Sequence, residues 1–474
     1  MGNTTSTVGR ECLLSAVGGN GAFVSFQDEP LYDITAVHEF NLNFPVEPAA
    51  VTYPETTEQV SAIVKCAAQF DFKVQARSGG HSFGNYGLGG ADGAIVVDMK
   101  HFTQFSLDES TNEATIGPGS SLGDVDIQLY NAGERAMTHG VCPGIGFGGH
   151  VTIGGLGPTE RQWGTALDHI QEAEIVLADG SIVRASDTQN SDLLFAVKGA
   201  AAGFGIVTEF KVRTQQAPGL AVSYSYTFNI GNAAEKAQLF RDWQTFISDE
   251  NLSRKLEMNF VILEGIVIIE GIFFGSEEEY EALGLEDRFA IKNPGTILVL
   301  TDWLGMVGHA VEDTVVRLLG GVPSHFYAKS LGFSPSDLIP SSDIDELFEY
   351  IETVNKGTVA WFVTFSLAGG RINDFPTDAT AYAHRDVLFW MQVFAVDILG
   401  PVSDTIYGFV NGVHGLLEEA VPESGERAYL GCPDPLLPDA QRAYWGGNLD
   451  RLMQIKAEVD PKDMFHNPQG VPLP

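Results

Sequence analysis

The chain has 474 residues, 44% of them hydrophobic, with 27 Lys and Arg against 62 Asp and Glu, a formal net charge of −35 at pH 7. This length supports a large buried core and more than one domain. An acidic excess of this size repels phosphate backbones and anionic lipid, so nucleic acid and membrane surfaces are not the expected partners and neutral or cationic small molecules fit better.

At the start of the chain, Met1 to Ser6 has the form of a myristoylation signal, a pattern short enough to arise by chance, and no apolar stretch of signal-peptide length follows. Asn3-Thr4-Thr5 and Asn251-Leu252-Ser253 are glycosylation sequons that matter only in a secreted protein. Four cysteines in a chain this long do not make a disulfide framework. Thr56 to Gln59 forms a capping box ahead of an apolar stripe, Val60, Ile63, Val64, Ala67 and Ala68, which predicts a helix. Lys73 to Ala76 reads as a strand. After it, Arg77 to Gly93 packs glycines around His81, a loop whose amides can approach a ligand closely. Ala94 to Asp98 and Ala114 to Ile116 read as strands, and Ser121 to Asn131 as a helix closed by Gly133.

A second glycine cluster runs from His139 to Gly157, and a hairpin follows in which Asp179-Gly180 joins Glu174–Leu177 to Ile182–Arg184. The third cluster, Gly199 to Gly205, lies between a helix beginning near Asp192 and the strand Ile206 to Val212. Glycine then thins out, which marks a boundary near Ala217-Pro218. Beyond it, Val222–Tyr226, Phe260–Ile262, Ile266–Phe274, Ile297–Leu300 and Trp361–Phe365 read as strands among helical patterns. Phe260 to Phe274 is the richest apolar window, but Glu264, Gly265, Glu270 and Gly271 break it and no membrane span results.

Gly144, Gly146 and Gly149 spell a dinucleotide-binding fingerprint, with Asp168 about 20 residues further on. The preceding Met137 to Pro143 contains His139, Gly140 and Pro143 instead of an apolar strand, and this context argues against that reading. A stronger constellation is RSGGHSFGNYG with HGVCPGIGFGGHV, EIVLADGSIV, DLLFAVKGAAAGFGIVTEF, TAYAHRD and DPKDMF. Together these segments resemble the vanillyl-alcohol-oxidase type of FAD enzymes. Within that type they are most similar to the berberine-bridge-enzyme-like branch and its fungal gluco- and chitooligosaccharide oxidases.

The resemblance implies an α+β fold: a two-part FAD-binding domain, residues 1–216 rejoined by 421–474, and a substrate domain, 217–420, with an antiparallel sheet covered by helices. It also implies FAD attached twice, through His81 to the flavin 8α-methyl and through Cys142 to flavin C6. Arg77, Ser78, Gly79, Gly80, Ser82, Gly148, Gly149, Gly205 and Val207 are expected around the cofactor. Glycine amides would serve its pyrophosphate in place of scarce cations. Cys12 and Cys66 match a disulfide pair of the related oxidases, which implies an oxidising compartment and secretion. Gln392 is expected at the substrate, and Phe362, with Trp361, is a candidate for stacking on sugar rings. Tyr382, His384 and Arg385 have the simpler reading of a structural tie.

The departures from the family pattern fall on one face of the expected pocket. Cys432 stands where the family has its Tyr base and Ser366 where it has the Asp that polarises that base. Thr364 replaces a substrate-binding Gln and Phe83 a tyrosine. The expectation is an FAD-linked oxidase or dehydrogenase that takes hydride from an alcohol or hemiacetal carbon onto flavin N5, with oxygen or another acceptor completing turnover. Two alternatives are a fungal natural-product oxidase or oxidative cyclase, and a catalytically silent flavoprotein. The protein is expected to be an extracellular monomer.

Overall fold

The computed structural model describes residues 7–291, 295–310 and 322–474; the myristoylation pattern and the Asn3 sequon lie outside them. Thr56 caps the helix Thr57–Gln69 by accepting from the Gln59 N–H at 3.3 Å. The helix stripe Val60, Ile63, Val64 and Ala67 is buried against a four-stranded sheet ordered Val24–Phe26, Ala50–Thr52, Ile95–Asp98, Val74–Arg77. The strands on either side of Ile95–Asp98 run parallel to it. A disulfide joins Cys12, on the first helix Thr7–Ala16, to Cys66.

A second sheet of five antiparallel strands is ordered Phe105–Asp108, Glu113–Ile116, Ile206–Arg213, Ile170–Val176, Ile182–Ser186. Its first strand, a four-residue edge strand with Phe105 and Leu107 only half-buried, did not register as an element in the sequence. Gly180, at φ +76°, makes the expected hairpin turn. The short helices Ala440–Trp445 and Leu449–Val459 return to this part and pack Tyr444, Trp445, Leu452 and Ile455 into its core.

Seven antiparallel strands form the third sheet, ordered Thr296–Leu300, Ala221–Phe228, Ile266–Phe273, Asn259–Leu263, Trp361–Leu367, Phe389–Asp397, His325–Phe333. Strand alternation divides its faces. Trp361, Val363, Phe365 and Leu367 join the core under helices Ala233–Ile247, Ser341–Thr353 and Asp404–Ala420. Each such side chain, fully buried, stabilises the fold by ~1.5–3 kcal/mol. Phe362, Thr364 and Ser366 point the other way. Trp361 therefore packs on Phe409 in the core and not on a ligand, which corrects its reading as a stacking platform.

The two parts are tied by Arg385, which donates from Nη1 to Asp168 Oδ2 at 2.9 Å and from Nη2 to Oδ1 at 2.8 Å, both side chains 1% exposed. The tie gives Arg385 a structural role and shows why Asp168 is no ribose ligand, while the Tyr382 hydroxyl and His384 Nε2 are buried with no hydrogen-bond partner among the described residues. No helix among the described residues is long and apolar enough to cross a membrane.

Candidate active site

The first and second glycine loops are pressed backbone to backbone. A Cβ on Gly79 would lie 2.3 Å from the Gly146 nitrogen, and one on Gly146 would lie 2.0 Å from the Gly79 nitrogen, so no other residue fits either position. This contact sets the His81 loop beside the Cys142 loop on one wall of a cleft of about 510 Å³. His81 stacks on Phe40 with centroids 4.7 Å apart, and burial lowers its pKa, which keeps the ring neutral and its lone pair available. Burial raises the Cys142 thiol. A Cβ on Gly149 would meet nothing within 4 Å. The third loop adds Ala200 to Gly203 to the wall, and the returning chain adds Asn467, Gln469 and Gly470.

The seven-stranded sheet supplies the opposite wall, and its register grades that wall by polarity. One row across the strands reads Trp390, Ser366, Asn259, Glu270, Ser225. The next reads Ser330, Gln392, Thr364, Val261, Ile268. Beyond it Phe326, Phe362 and Phe394 close around Phe83 and Phe40 as an apolar cluster. Thr364 Oγ1, Gln392 Nε2 and Trp390 Nε1 are buried at the cleft with no hydrogen-bond partner among the described residues. Such groups are costly unless a ligand or water satisfies them.

Most residues singled out in the sequence meet here. Ser78, Gly79, Gly80, His81, Ser82, Phe83, Cys142, Gly149, Thr364, Ser366, Gln392 and Cys432 all line the cleft. Five others are placed differently. Arg77 reaches the cleft, but its guanidinium turns to Asp98, with which it bonds at 3.0 and 2.6 Å, and to the Val37 carbonyl. Gly148 packs against Pro118, and Gly205 against Ile175 and Val176. Val207 is a core strand residue paired with Ile175, and none of these three lines the cleft. Phe362 is fully buried under Phe394, with centroids 5.3 Å apart, and presents no free ring face.

Burial pushes the Cys432 thiol up to about 12, which removes it as a proton acceptor near neutral pH. Glu257, Asn259, Glu270, Glu160 and Tyr429 also line the cleft and were missed in the sequence. The signal for Glu270 was visible, because it is the charge that interrupts the apolar run Ile266–Phe273. Glu257 accepts from Asn259 Nδ2 and, at 2.8 Å, from the Ile272 N–H. Glu160, buried and raised to about 8, accepts from the Gly157 N–H at 2.8 Å.

This cleft fits a flat, elongated cofactor held between glycine loops and a polar sheet face, and the comparisons identify it. Residues 48–186 match the FAD binding domain family, and residues 428–472 match the berberine and berberine-like family. The chain is 39% identical to the FAD-linked oxidoreductase sorD of Penicillium rubens, over 97% of this chain and 98% of that protein. It is 34% identical to the glucooligosaccharide oxidase of Sarocladium strictum, over 90% and 88%. The solved glucooligosaccharide oxidase of Acremonium strictum, which carries 6-S-cysteinyl, 8α-N1-histidyl FAD, superposes with a TM-score of 0.88 at 30% identity, over 98% of each chain. FAD is the cofactor, and the chain belongs to the berberine-bridge-enzyme-like family of FAD-linked oxidoreductases.

Proposed function

We propose that this protein is an oxidase or dehydrogenase acting on the hydroxylated carbon of a neutral, carbohydrate-like molecule, with FAD anchored through both His81 and Cys142. The observation that carries the reading is the cleft itself. It sets the His81 and Cys142 loops on one wall and a row of hydrogen-bonding side chains on the other. Bound FAD supplies the hydride acceptor and the route by which electrons leave to oxygen or another acceptor.

The chain's own residues bind, orient and deprotonate. Thr364, Ser366, Gln392 and Asn259 offer hydrogen bonds to substrate hydroxyls, and the unpartnered Thr364 and Gln392 atoms are ready to be satisfied by them. With the Cys432 thiol at about 12, the proton leaving the reacting hydroxyl passes to the carboxylate row, Glu270 or Glu257, instead of to the position where the family places its Tyr. The apolar end around Phe83, Phe326 and Phe394 joins His81 through Phe40 and would keep water from the His81 link.

The named oxidases among the relatives act on gluco-, xylo- and chitooligosaccharides, which favours this reading over a natural-product substrate. In our reading residues 1–216 with 421–474 hold the cofactor and 217–420 the substrate. The protein works outside the cell as a monomer without macromolecular partners, a view supported by the Cys12–Cys66 disulfide and the exposed Asn251 sequon.

Two measurements test this. Denatured, precipitated protein is expected to stay yellow, with peptide mass spectrometry finding one FAD bridging the His81 and Cys142 peptides. Complete release of flavin into the supernatant refutes the double anchor. Anaerobic flavin reduction by an oligosaccharide panel is expected, and reduction only by non-sugar alcohols or phenols refutes the substrate class.

A further inference from the structure

We propose that the buried pair His139–Asp126, acting with His150, is a positioning device that fixes the loop on which Cys142 makes its link to the flavin. The inference rests on the double anchor proposed above. Both polar groups of Gly140, two residues before Cys142, are held by imidazoles. The Gly140 N–H donates to His150 Nε2 at 2.9 Å, and the Gly140 carbonyl lies 2.8 Å from His139 Nδ1. The other His139 nitrogen, Nε2, lies 2.8 Å from Asp126 Oδ1, the two side chains 3% and 4% exposed.

The hydrogen-bond inventory assigns the protons. A carbonyl and a carboxylate both accept, so both nitrogens of His139 donate and the ring is an imidazolium. His150 offers a lone pair to an N–H, so its ring is neutral. Burial opposes the charge on His139, yet Asp126 and the Gly140 carbonyl hold its pKa above the ordinary histidine value. Burial, with the charge of His139 added, pushes His150 down to about 3. One charged and one neutral ring thus grip the same residue, and Gly140 cannot turn without stranding a buried polar group.

The grip is braced on both sides. Trp303 Nε1 donates to the same Asp126 oxygen at 3.0 Å, bringing support from the helix Trp303–Ala310 that follows the edge strand of the seven-stranded sheet. Asp126 lies on the helix Leu122–Asn131, and the start of that helix holds the far side of the Cys142 loop. The Leu122 N–H donates to the Ile145 carbonyl at 2.9 Å and the Gly123 N–H to the Pro143 carbonyl at 3.1 Å. Cys142 therefore sits between two anchors that share one helix.

Thioether formation exchanges the Sγ–H and one ring C–H for an S–C bond. Two protons and two electrons are released, the electrons leaving to the acceptor that also ends each turnover. The sulfur has to meet one ring carbon, and a misplacement of about 1 Å costs on the order of 10²-fold in rate. The His81 link is made from a different loop, which meets the Cys142 loop at Gly79 and Gly146 on the far side of Cys142 from the Gly140 grip.

The test uses protein loaded with flavin during expression, in the variants His139→Gln and Asp126→Asn/His139→Gln. The double variant keeps a neutral hydrogen-bonded pair where the single change strands a buried carboxylate. Flavin on the His81 peptide and on the Cys142 peptide is counted separately by mass spectrometry, with the absorption spectrum of denatured Cys142→Ala protein as the single-link reference. The expected result is at least a tenfold fall in Cys142-linked flavin at an unchanged His81-linked fraction. An unchanged Cys142-linked fraction in folded double variant overturns the proposal, as does a parallel loss of both links, which is what a scaffold role produces. Absence of flavin on Cys142 in the wild type removes the double anchor itself and this proposal with it.

Discussion

If the sugar-oxidising base of the family has been given up at position 432, restoring it should be measurable. With the thiol pushed up to about 12, on the order of one Cys432 in 10⁵ is a thiolate at pH 7, so Cys432→Ala is expected to leave flavin reduction by the preferred substrate within about twofold. A positioned proton acceptor contributes about 10²- to 10⁴-fold. Because Glu270 or Glu257 already takes that proton in the proposed mechanism, Cys432→Tyr combined with Ser366→Asp is expected to raise the rate of flavin reduction by oligosaccharides, but by less than that full factor. Both residues line the cleft, and Ser366 lies directly across from Trp390 and Asn259 in the sheet. The assay is anaerobic stopped-flow reduction followed at the flavin absorption band, which isolates the reductive step from reaction with the acceptor. Abolition of turnover by Cys432→Ala refutes the reasoning, because it makes the thiol itself catalytic.

Arg385→Met should destabilise the protein by about 3–5 kcal/mol in denaturant unfolding, since it leaves the Asp168 carboxylate buried without its partner. Burial raises the Asp168 pKa, but Arg385 and Thr165 outweigh it and the net shift is downward. The wild-type pair should thus contribute fully above the unfolded value of about 3.9 and fade as pH falls through the lower folded value, an acid limb that Asp168→Asn should flatten. Gly146→Ala, whose Cβ would sit 2.0 Å from the Gly79 nitrogen, should part the two loops and lower flavin content at unchanged expression, read by absorbance per mole of chain. Binding of neutral substrates should be nearly independent of ionic strength despite the charge of −35, because screening over ~8 Å relieves only charged ligands; a steep salt dependence in titrations would contradict this.

The sequence was most readable where structure is local. Thr56 and the stripe Val60, Ile63, Val64 define their helix within a few turns, and Asp179-Gly180 defines its hairpin. Strands His325–Phe333 and Phe389–Asp397 went unread because both of their faces are buried and no alternation survives. The same division runs through the site. The loops carrying His81 and Cys142 are legible because glycine clusters announce close approach, and the resemblance to the family gives those two residues their roles, whereas Glu270 acquires its place only when its strand pairs with Asn259. Asp168 imitated a nucleotide ligand because its true partner, Arg385, lies far along the chain.

Lys456 is fully buried and donates at 2.8 Å to the carbonyls of Gly203 and Phe465 and to Asp460, which ties the third glycine loop to the returning chain. Asn467, Gln469 and Gly470 continue from that knot into the cleft wall. On a ribosome the cleft therefore stays open until this stretch has emerged, long after the residues that grip the flavin. Cofactor capture becomes a late event, and a polypeptide stalled near residue 420 would carry both anchoring side chains and no enclosure to hold a flavin against them.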